Sequence, residues 1–330
     1  MDKANKFILE NKVLKIVEKI GSEEYENSIR SYLDIDLLLA LSRDRSHAID
    51  WLPIKKTDRV LEINGHFGEI TQFLSEENIN TDVLVTDIFE RKIITTRCSD
   101  SDNINIYDVE AFDDLKGSYD WIIILGDLDY TYDELLSVVI RSKRKLSEVG
   151  HIVIATDNRL ALKFLSGARD EIGNPIYGGL INREKQNRIG FSKHEIETIL
   201  QNASINEYKF FYPEPDYRFV KELFCDEHIP SAERYYNPGY SYKYDRYQTF
   251  DDSKIMSGLI PEGLYGIFAS SFIVITGGNE SVKNMDFLHY SDHRKPEFRT
   301  ETIVVNKHKR KEVIKKPRSS CAAQFVDGIY

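Results

Sequence analysis

The 330-residue chain has only three cysteines, Cys98, Cys225 and Cys321, and no two stand at a short paired spacing. That excludes a cysteine-built zinc site and a disulfide scaffold, and it suits a reducing compartment. The eight histidines are scattered without ligand spacing, so no metal site is expected. No apolar run approaches the ~20 residues needed to span a membrane, and the opening residues carry no apolar leader. The expectation is a soluble, cytoplasmic protein. Net positive charge is lacking too: the formal charge is −10, which speaks against a nucleic-acid partner. Basic residues cluster only at 307–316, read here as a solvated turn between strands. The Gly-x-Ser-x-Gly and phosphate-loop patterns are absent, which argues against hydrolase and P-loop chemistry.

Hydrophobic residues make up 41% of the chain, enough for a large core and more than one structural unit. The rest is organised around residues 59–71. Val60, Leu61 and Ile63 form a short apolar run suited to a buried strand; Gly65 and Gly68 then break the chain. Ile70, Phe73 and Leu74 follow at helical spacing. Strand, glycine turn and helix together present backbone N–H groups to a ligand at the strand's carboxyl end. Two acids belong to this pattern. Glu62 lies inside the strand end, and Asp87 closes the next apolar run 19 residues after Gly68.

Residues 1–52 are predicted as a helical cap, with Leu9, Val13, Ile16 and Val17 at helical spacing in one segment and Leu37, Leu38, Leu39 and Leu41 in a second. From 59 onward the pattern alternates. Strands are predicted at 59–63, 83–86, 104–107, 121–125 and 152–155, with helical stretches between them. This is the signature of a parallel, doubly wound α/β sheet. Two later strands, at 207–212 and 268–276, are separated by 213–266, far too long for a hairpin loop. That insertion must carry structure of its own. Residues 279–330 read as a small β-rich tail with two strands, at 298–305 and 312–316, and as the start of a further domain.

The 59–71 turn resembles motif I of class I S-adenosylmethionine (SAM) methyltransferases, which reads Val-Leu-Glu-Ile-Gly-x-Gly-x-Gly. Asn64 and His66 stand at the first two glycine positions, Gly68 at the third, and Gly65 is an extra glycine. Asn64 still suits a turn because asparagine tolerates left-handed backbone angles. Residues 119–130 (Tyr-Asp-Trp-Ile-Ile-Ile-Leu-Gly-Asp-Leu-Asp-Tyr) are similar to the fourth-strand block of bacterial methyltransferases encoded with glycosyltransferases in capsule and surface-polysaccharide clusters. So are 157–168, 190–196, 211–217 and 224–230. The resemblance spans roughly 40–276. It implies a Rossmann-like, seven-stranded sheet over 53–278, with the last two strands antiparallel at its edge and 213–266 as an acceptor-binding cap. Some members of the group continue into a kinase-like domain.

The resemblance also assigns roles. SAM would be held by Glu62, Asn64, Gly65 and Gly68 at the turn, Asp87 at the ribose, Asp108 with Val109 at the adenine, and Gly126 after the fourth strand, with Ile88 as a further cofactor contact. A carboxylate is acceptor-only, so Asp87 suits two ribose hydroxyls. The implied reaction is methyl transfer to a sugar hydroxyl, with positioning and a base doing the work. Asp127, His66 and His194 are the candidate bases; Asp127 stands where the group has an apolar residue. Asn158, Arg159, Tyr212, Asp216 and Tyr217 are candidate acceptor contacts. The implied partners are a sugar or glycan, and glycosyltransferase or kinase-like domains acting on it. Two rival readings stay open. One is a non-catalytic scaffold that keeps the fold, favoured by Asn64 and His66. The other is a nicotinamide or nucleotide-sugar Rossmann enzyme, allowed by Asp87.

Overall fold

The computed structural model describes residues 3–20, 25, 29, 34–125, 130–169, 176–181, 190–236, 242, 246–307 and 310–326. Five parallel strands form its first half: β1 (Arg59–Ile63), β2 (Asn80–Val85), β3 (Ile104–Asp108), β4 (Tyr119–Ile124) and β5 (Leu146–Asp157). They order as β3-β2-β1-β4-β5. β4 and the second half of β5 are apolar on both faces, as strands covered on both sides require, whereas the edge strand β3 is partly exposed. Leu61, Ile122 and Ile152 point to one core; Val60, Trp121 and Val153 point to the other.

Helices follow the strands. α1 (Lys3–Val17) and α2 (Ile35–Leu41) form the N-terminal layer, and a 3-10 turn (Arg43–Ala48) leads on from α2. α3 (Glu69–Glu76) follows β1, α4 (Ile88–Arg97) follows β2, and α5 (Tyr132–Arg144) follows β4. α6 (Lys193–Asn202) starts at a capping box in which Ser192 and Glu195 satisfy each other's backbone groups. Val13 and Val17 of α1 pack with Leu37 and Leu41 of α2 onto Ile93 of α4. The predicted N-terminal cap is therefore a layer over the β2 end of the sheet.

Among the described residues the sheet has 11 strands, not seven. β6 (Tyr208–Glu214) and β8 (Ser271–Thr276) continue the order as β5-β8-β6, with β8 antiparallel to both neighbours. That is the predicted antiparallel pair, but it is interior rather than an edge. β7 (Glu222–Cys225) comes from the 213–266 segment and pairs with β6. β9 (Met285–Tyr290) pairs with β7. β10 (Thr300–Lys307) and β11 (Arg310–Pro317) then complete the far side of the same sheet. The reason is visible in β6 and β7. Phe211, Leu223 and Cys225 are fully buried, so the open edge they would leave is covered by further strands. The 213–266 segment also contributes α7 (Asp252–Leu259), whose Met256 joins the core beneath α6.

The tail is tied to the N-terminal layer by a buried polar knot. Asp50 accepts a short hydrogen bond from the Tyr290 hydroxyl, and its other oxygen accepts from Arg318 Nη2 at 2.7 Å. The Arg318 guanidinium lies 4.9 Å from the Tyr290 ring centroid. Replacing Tyr290 by Phe removes one donor from a buried carboxylate, which costs about 1–3 kcal/mol. The Tyr290→Phe protein is expected to show a lower urea midpoint with an unchanged denaturant slope.

Candidate functional site

At the end of β1 the backbone turns left-handed three times, at Asn64 (φ 62°), His66 (φ 44°) and Gly68 (φ 77°). Asn64 makes the turn as its residue type allows. His66 adopts the same region although histidine does so seldom. Gly65 is needed for another reason. A Cβ there would sit 2.4 Å from Val83 Cγ1 and 2.9 Å from Ile94 Cδ1, because the turn lies flat on β2 and α4. The Gly65 N–H donates to Leu84 O (3.0 Å), and the Gly68 N–H donates to Gly65 O (2.7 Å). Arg97 fixes the turn from behind: its Nη1 donates to Phe67 O (2.6 Å) and to Ala40 O (2.8 Å). The turn is thus bound to the C-terminal end of α2. A Gly65→Ala change should overpack this contact and cost about 1–3 kcal/mol, read as a fall in the thermal midpoint.

Glu62 is buried under the turn, and the Thr71 hydroxyl donates to its Oε2 at 2.7 Å. Burial pushes the Glu62 carboxyl up to about 8; the Thr71 bond acts against that and the nearby Glu69 charge reinforces it. Folding therefore takes up a proton between 4.5, the ordinary carboxyl value, and about 8. Stability from this group is complete below that window and declines as pH rises through it, by at most about 1.4 kcal/mol per pH unit. Urea unfolding from pH 5 to 9 should show this decline in the wild type and a flatter profile in Glu62→Gln. Parallel profiles would mean that Glu62 is already ionised.

Asp87 is the N-cap of α4. Its Oδ1 accepts from the Phe89 and Glu90 amides (2.9 and 3.0 Å), and its Oδ2 accepts from Lys6 Nζ at 2.6 Å. Burial alone would raise its carboxyl; the Lys6 ammonium and the two amides outweigh that and hold it below the usual range. Lys6 also reaches Glu90 Oε1 at 3.2 Å, and Phe7 meets Phe89 edge-on, so α1 straps this end of α4. Beside Asp87 the Ile88 side chain is 70% exposed, an apolar face with little protein against it. Asp108 is exposed and paired with Arg91 (2.8 Å), with Val109 half-buried next to it. Topology brings all of these to one carboxyl edge, at the ends of β1, β2 and β3. Gly126 and Asp127 lie outside the described residues.

Two polar groups near the turn are buried without a hydrogen-bond partner among the described residues. One is Arg45, through Nε and Nη1; the other is His66 Nε2. Arg45 Nη2 lies 3.7 Å from Glu69, the first residue of α3, and Gly68 gives α3 no side-chain cap. An uncapped helix start, its positive dipole end and a guanidinium that meets Glu69 through Nη2 but keeps Nε and Nη1 without a hydrogen-bond partner among the described residues together suit a carboxylate. Arg45 gave no sequence signal, because it lies 23 residues before Gly68 in a segment predicted only as a cap. Lys6 and Arg97 were equally silent.

The residues expected to meet an acceptor divide. Asn158 is fully buried; its Nδ2 donates to Ile267 O and Ala269 O, and its Oδ1 accepts from the Leu160 amide. Arg159 is buried and pairs with Glu195 at 2.8 Å. The Tyr212 ring is buried, and its hydroxyl donates to the exposed Asp226 and accepts from Lys193 (2.8 Å). Asp216 and Tyr217 follow β6 and are buried. Asp216 Oδ1 accepts from the Arg218 amide, and the Tyr217 amide donates to Ser271 Oγ. Arg218 Nη2 and Lys163 Nζ both reach Asp157 at the end of β5 (2.7 and 3.2 Å). This is a buried ionic support, not a set of free contacts. His194 is exposed on α6.

No protein-family model matches the chain, and no curated protein matches it. Several of the solved structures similar to it are described as SAM-dependent methyltransferases. A SAM-dependent methyltransferase from Archaeoglobus fulgidus has 16% identity and a TM-score of 0.45, over 72% of this chain and 95% of that one. The SAM-dependent methyltransferase SibL has 12% identity and a TM-score of 0.39, over 75% and 55%. A riboflavin-analogue dimethyltransferase from Streptomyces davawensis has 11% identity and a TM-score of 0.37, over 50% and 48%. The chain thus spans about half the length of the latter two. At such low identity and partial superposition, the reading of this chain stands on its own strand order and turn.

Proposed function

We infer that the chain is a SAM-dependent methyltransferase that methylates a sugar hydroxyl in surface-polysaccharide synthesis. One observation carries the cofactor part. A left-handed glycine turn, an acid-capped β2 end and an arginine with two nitrogens lacking a hydrogen-bond partner among the described residues converge on the carboxyl edge of a β3-β2-β1-β4-β5-β8-β6 sheet whose β8 is antiparallel. The residues present fit the cofactor. Arg45 and the first amides of α3 would hold its amino-acid carboxylate, Asp87 one ribose hydroxyl through the acceptor position left on Oδ2, and Ile88 one face of its adenine, with Asp108 and Val109 at the ring's edge. When bound, it supplies an activated methyl group. The chain's own task is to hold the acceptor in line with that methyl and to take a proton. Lys6 occupies one oxygen of Asp87; a carboxylate oxygen has two lone pairs, so a ribose hydroxyl has room beside it. The sugar acceptor, and with it glycosyltransferase or kinase-like partners, rests on the resemblance of the strand blocks.

Calorimetric titration with S-adenosylhomocysteine should give micromolar binding to the wild type and its loss in Asp87→Ala. Failure of the wild type to bind would overturn the enzyme reading in favour of a scaffold. Binding of NAD or a nucleotide sugar, unaffected by S-adenosylhomocysteine, would establish a different Rossmann enzyme.

A further inference from the structure

Two adjoining cavities lie beyond the turn, on the far side of α2. The first, of about 360 Å³, is walled by Ile35 and Leu38 of α2, Phe219 and Tyr242, with Asp44, His47, Lys221 and Asp292 as polar lining. The second, of about 500 Å³, shares Asp44, Pro215, Lys221 and Asp292 with the first and adds Glu222, Tyr236 and His289. β6 runs in the same direction as β5, because both are antiparallel to β8. The 215–221 segment therefore leaves the sheet at the edge where the 64–68 turn sits. Arg97 binds α2 to that turn through Ala40 and Phe67, so the cleft wall and the turn are one rigid assembly.

His47 is 2% exposed, and its surroundings set its tautomer. Its Nδ1 lies 3.1 Å from Val220 O, a group that can only accept, so Nδ1 carries the hydrogen. Asp292 Oδ2 stands 3.6 Å from the same nitrogen, and the ring stacks on Tyr290 at 4.0 Å. That leaves Nε2, with no hydrogen-bond partner among the described residues, as a lone pair on the cleft side. Asp44 Oδ1 is 4.0 Å from it. A histidine held at one nitrogen by an acceptor and backed by a carboxylate is the arrangement of a general base. Arg299 pairs with Asp44 (3.0 Å) and lies 3.9 Å from Asp292, spreading the charge. Burial nonetheless raises the Asp292 carboxyl; the neighbouring His47 opposes this and Asp44 adds to it.

We propose that this cleft is the acceptor site of the methyltransferase inferred above, that it takes a neutral polyhydroxylated ring, and that His47 Nε2 receives the hydroxyl proton. The lining decides the class. Phe219, Leu38 and Ile35 offer apolar surface to the C–H face of a ring, while Asp44 and Asp292 accept from hydroxyls. Asp44, Asp292 and Glu222 outnumber Lys221 and repel a phosphorylated or otherwise anionic acceptor. Two contiguous cavities suit a chain of rings. In the transfer, the acceptor oxygen forms its bond to the methyl carbon as the carbon–sulfur bond breaks. The sulfur keeps the bonding pair, and the acceptor's proton passes to Nε2, giving an imidazolium that Asp292 supports.

The test uses the full chain with four methyl glycosides (glucose, galactose, mannose and rhamnose) and glucose 1-phosphate as probes. Saturation-transfer NMR should detect at least one glycoside and not the phosphate. Leu38→Trp, which fills the cleft, should abolish that signal, and Phe219→Ala should weaken it. Neither change should alter S-adenosylhomocysteine titration, which also reports folding. His47→Gln should keep both binding signals and lose about 100-fold or more of methyl transfer to the bound glycoside. Methyl transfer should be indifferent to EDTA. Glucose 1-phosphate binding in preference to every glycoside, glycoside binding that survives Leu38→Trp, or near-wild-type turnover by His47→Gln would each overturn the proposal. Loss of turnover on chelation would make Asp44, His47 and Asp292 a metal site and overturn the base role. If S-adenosylhomocysteine fails to bind the wild type, the methyltransferase reading falls. Glycoside binding blocked by Leu38→Trp would then still establish the saccharide cleft.

Discussion

The turn between β1 and α3 lies so close to β2 and α4 that no side chain fits at Gly65, and the rest of the site follows from that contact. Pressed flat, the backbone must turn left-handed at Asn64, His66 and Gly68. Its carbonyls then point outward, where Arg97 gathers Phe67 O together with the end of α2. One guanidinium so connects the first strand's turn to the N-terminal layer, and that layer forms both the roof over the turn and a wall of the neighbouring cleft.

The burial of carboxyl groups is the second organising theme. Glu62, Asp157, Asp50 and Asp87 all lose water, and each is met by a different compensation. Thr71 donates a hydroxyl to Glu62. Arg218 and Lys163 face Asp157. Tyr290 and Arg318 hold Asp50. Lys6 and two amides hold Asp87. Three of the four compensations draw on residues far away in sequence. They bind the N-terminal layer, the strand ends and the last strands into one body. They also explain why Asn158, Arg159 and Tyr212, polar residues near a ligand edge, are spent on the protein itself.

Much of the sheet was legible from local pattern. Strands such as 121–124 are apolar on both faces, while the capping box that starts α5 at Thr131 became visible only in the structure. The last strands were less so. β11 alternates weakly and is largely exposed, so its place in the sheet comes from pairing with β10 rather than from burial. The long 213–266 segment concealed β7, only four residues long, because a short apolar run has no periodicity to read.

By itself the sequence determined the α/β alternation, the glycine turn after β1 and the acid at the end of β2, since each depends on residues close along the chain. Tertiary structure alone decided which side chains share a space. Asp44 and His47 meet Asp292 some 245 residues on, Lys6 reaches Asp87, and Arg45 meets Glu69 at the start of α3. Local propensity carries no information about such contacts. They arise when β9 joins β7 across the sheet and the N-terminal layer closes over its carboxyl edge.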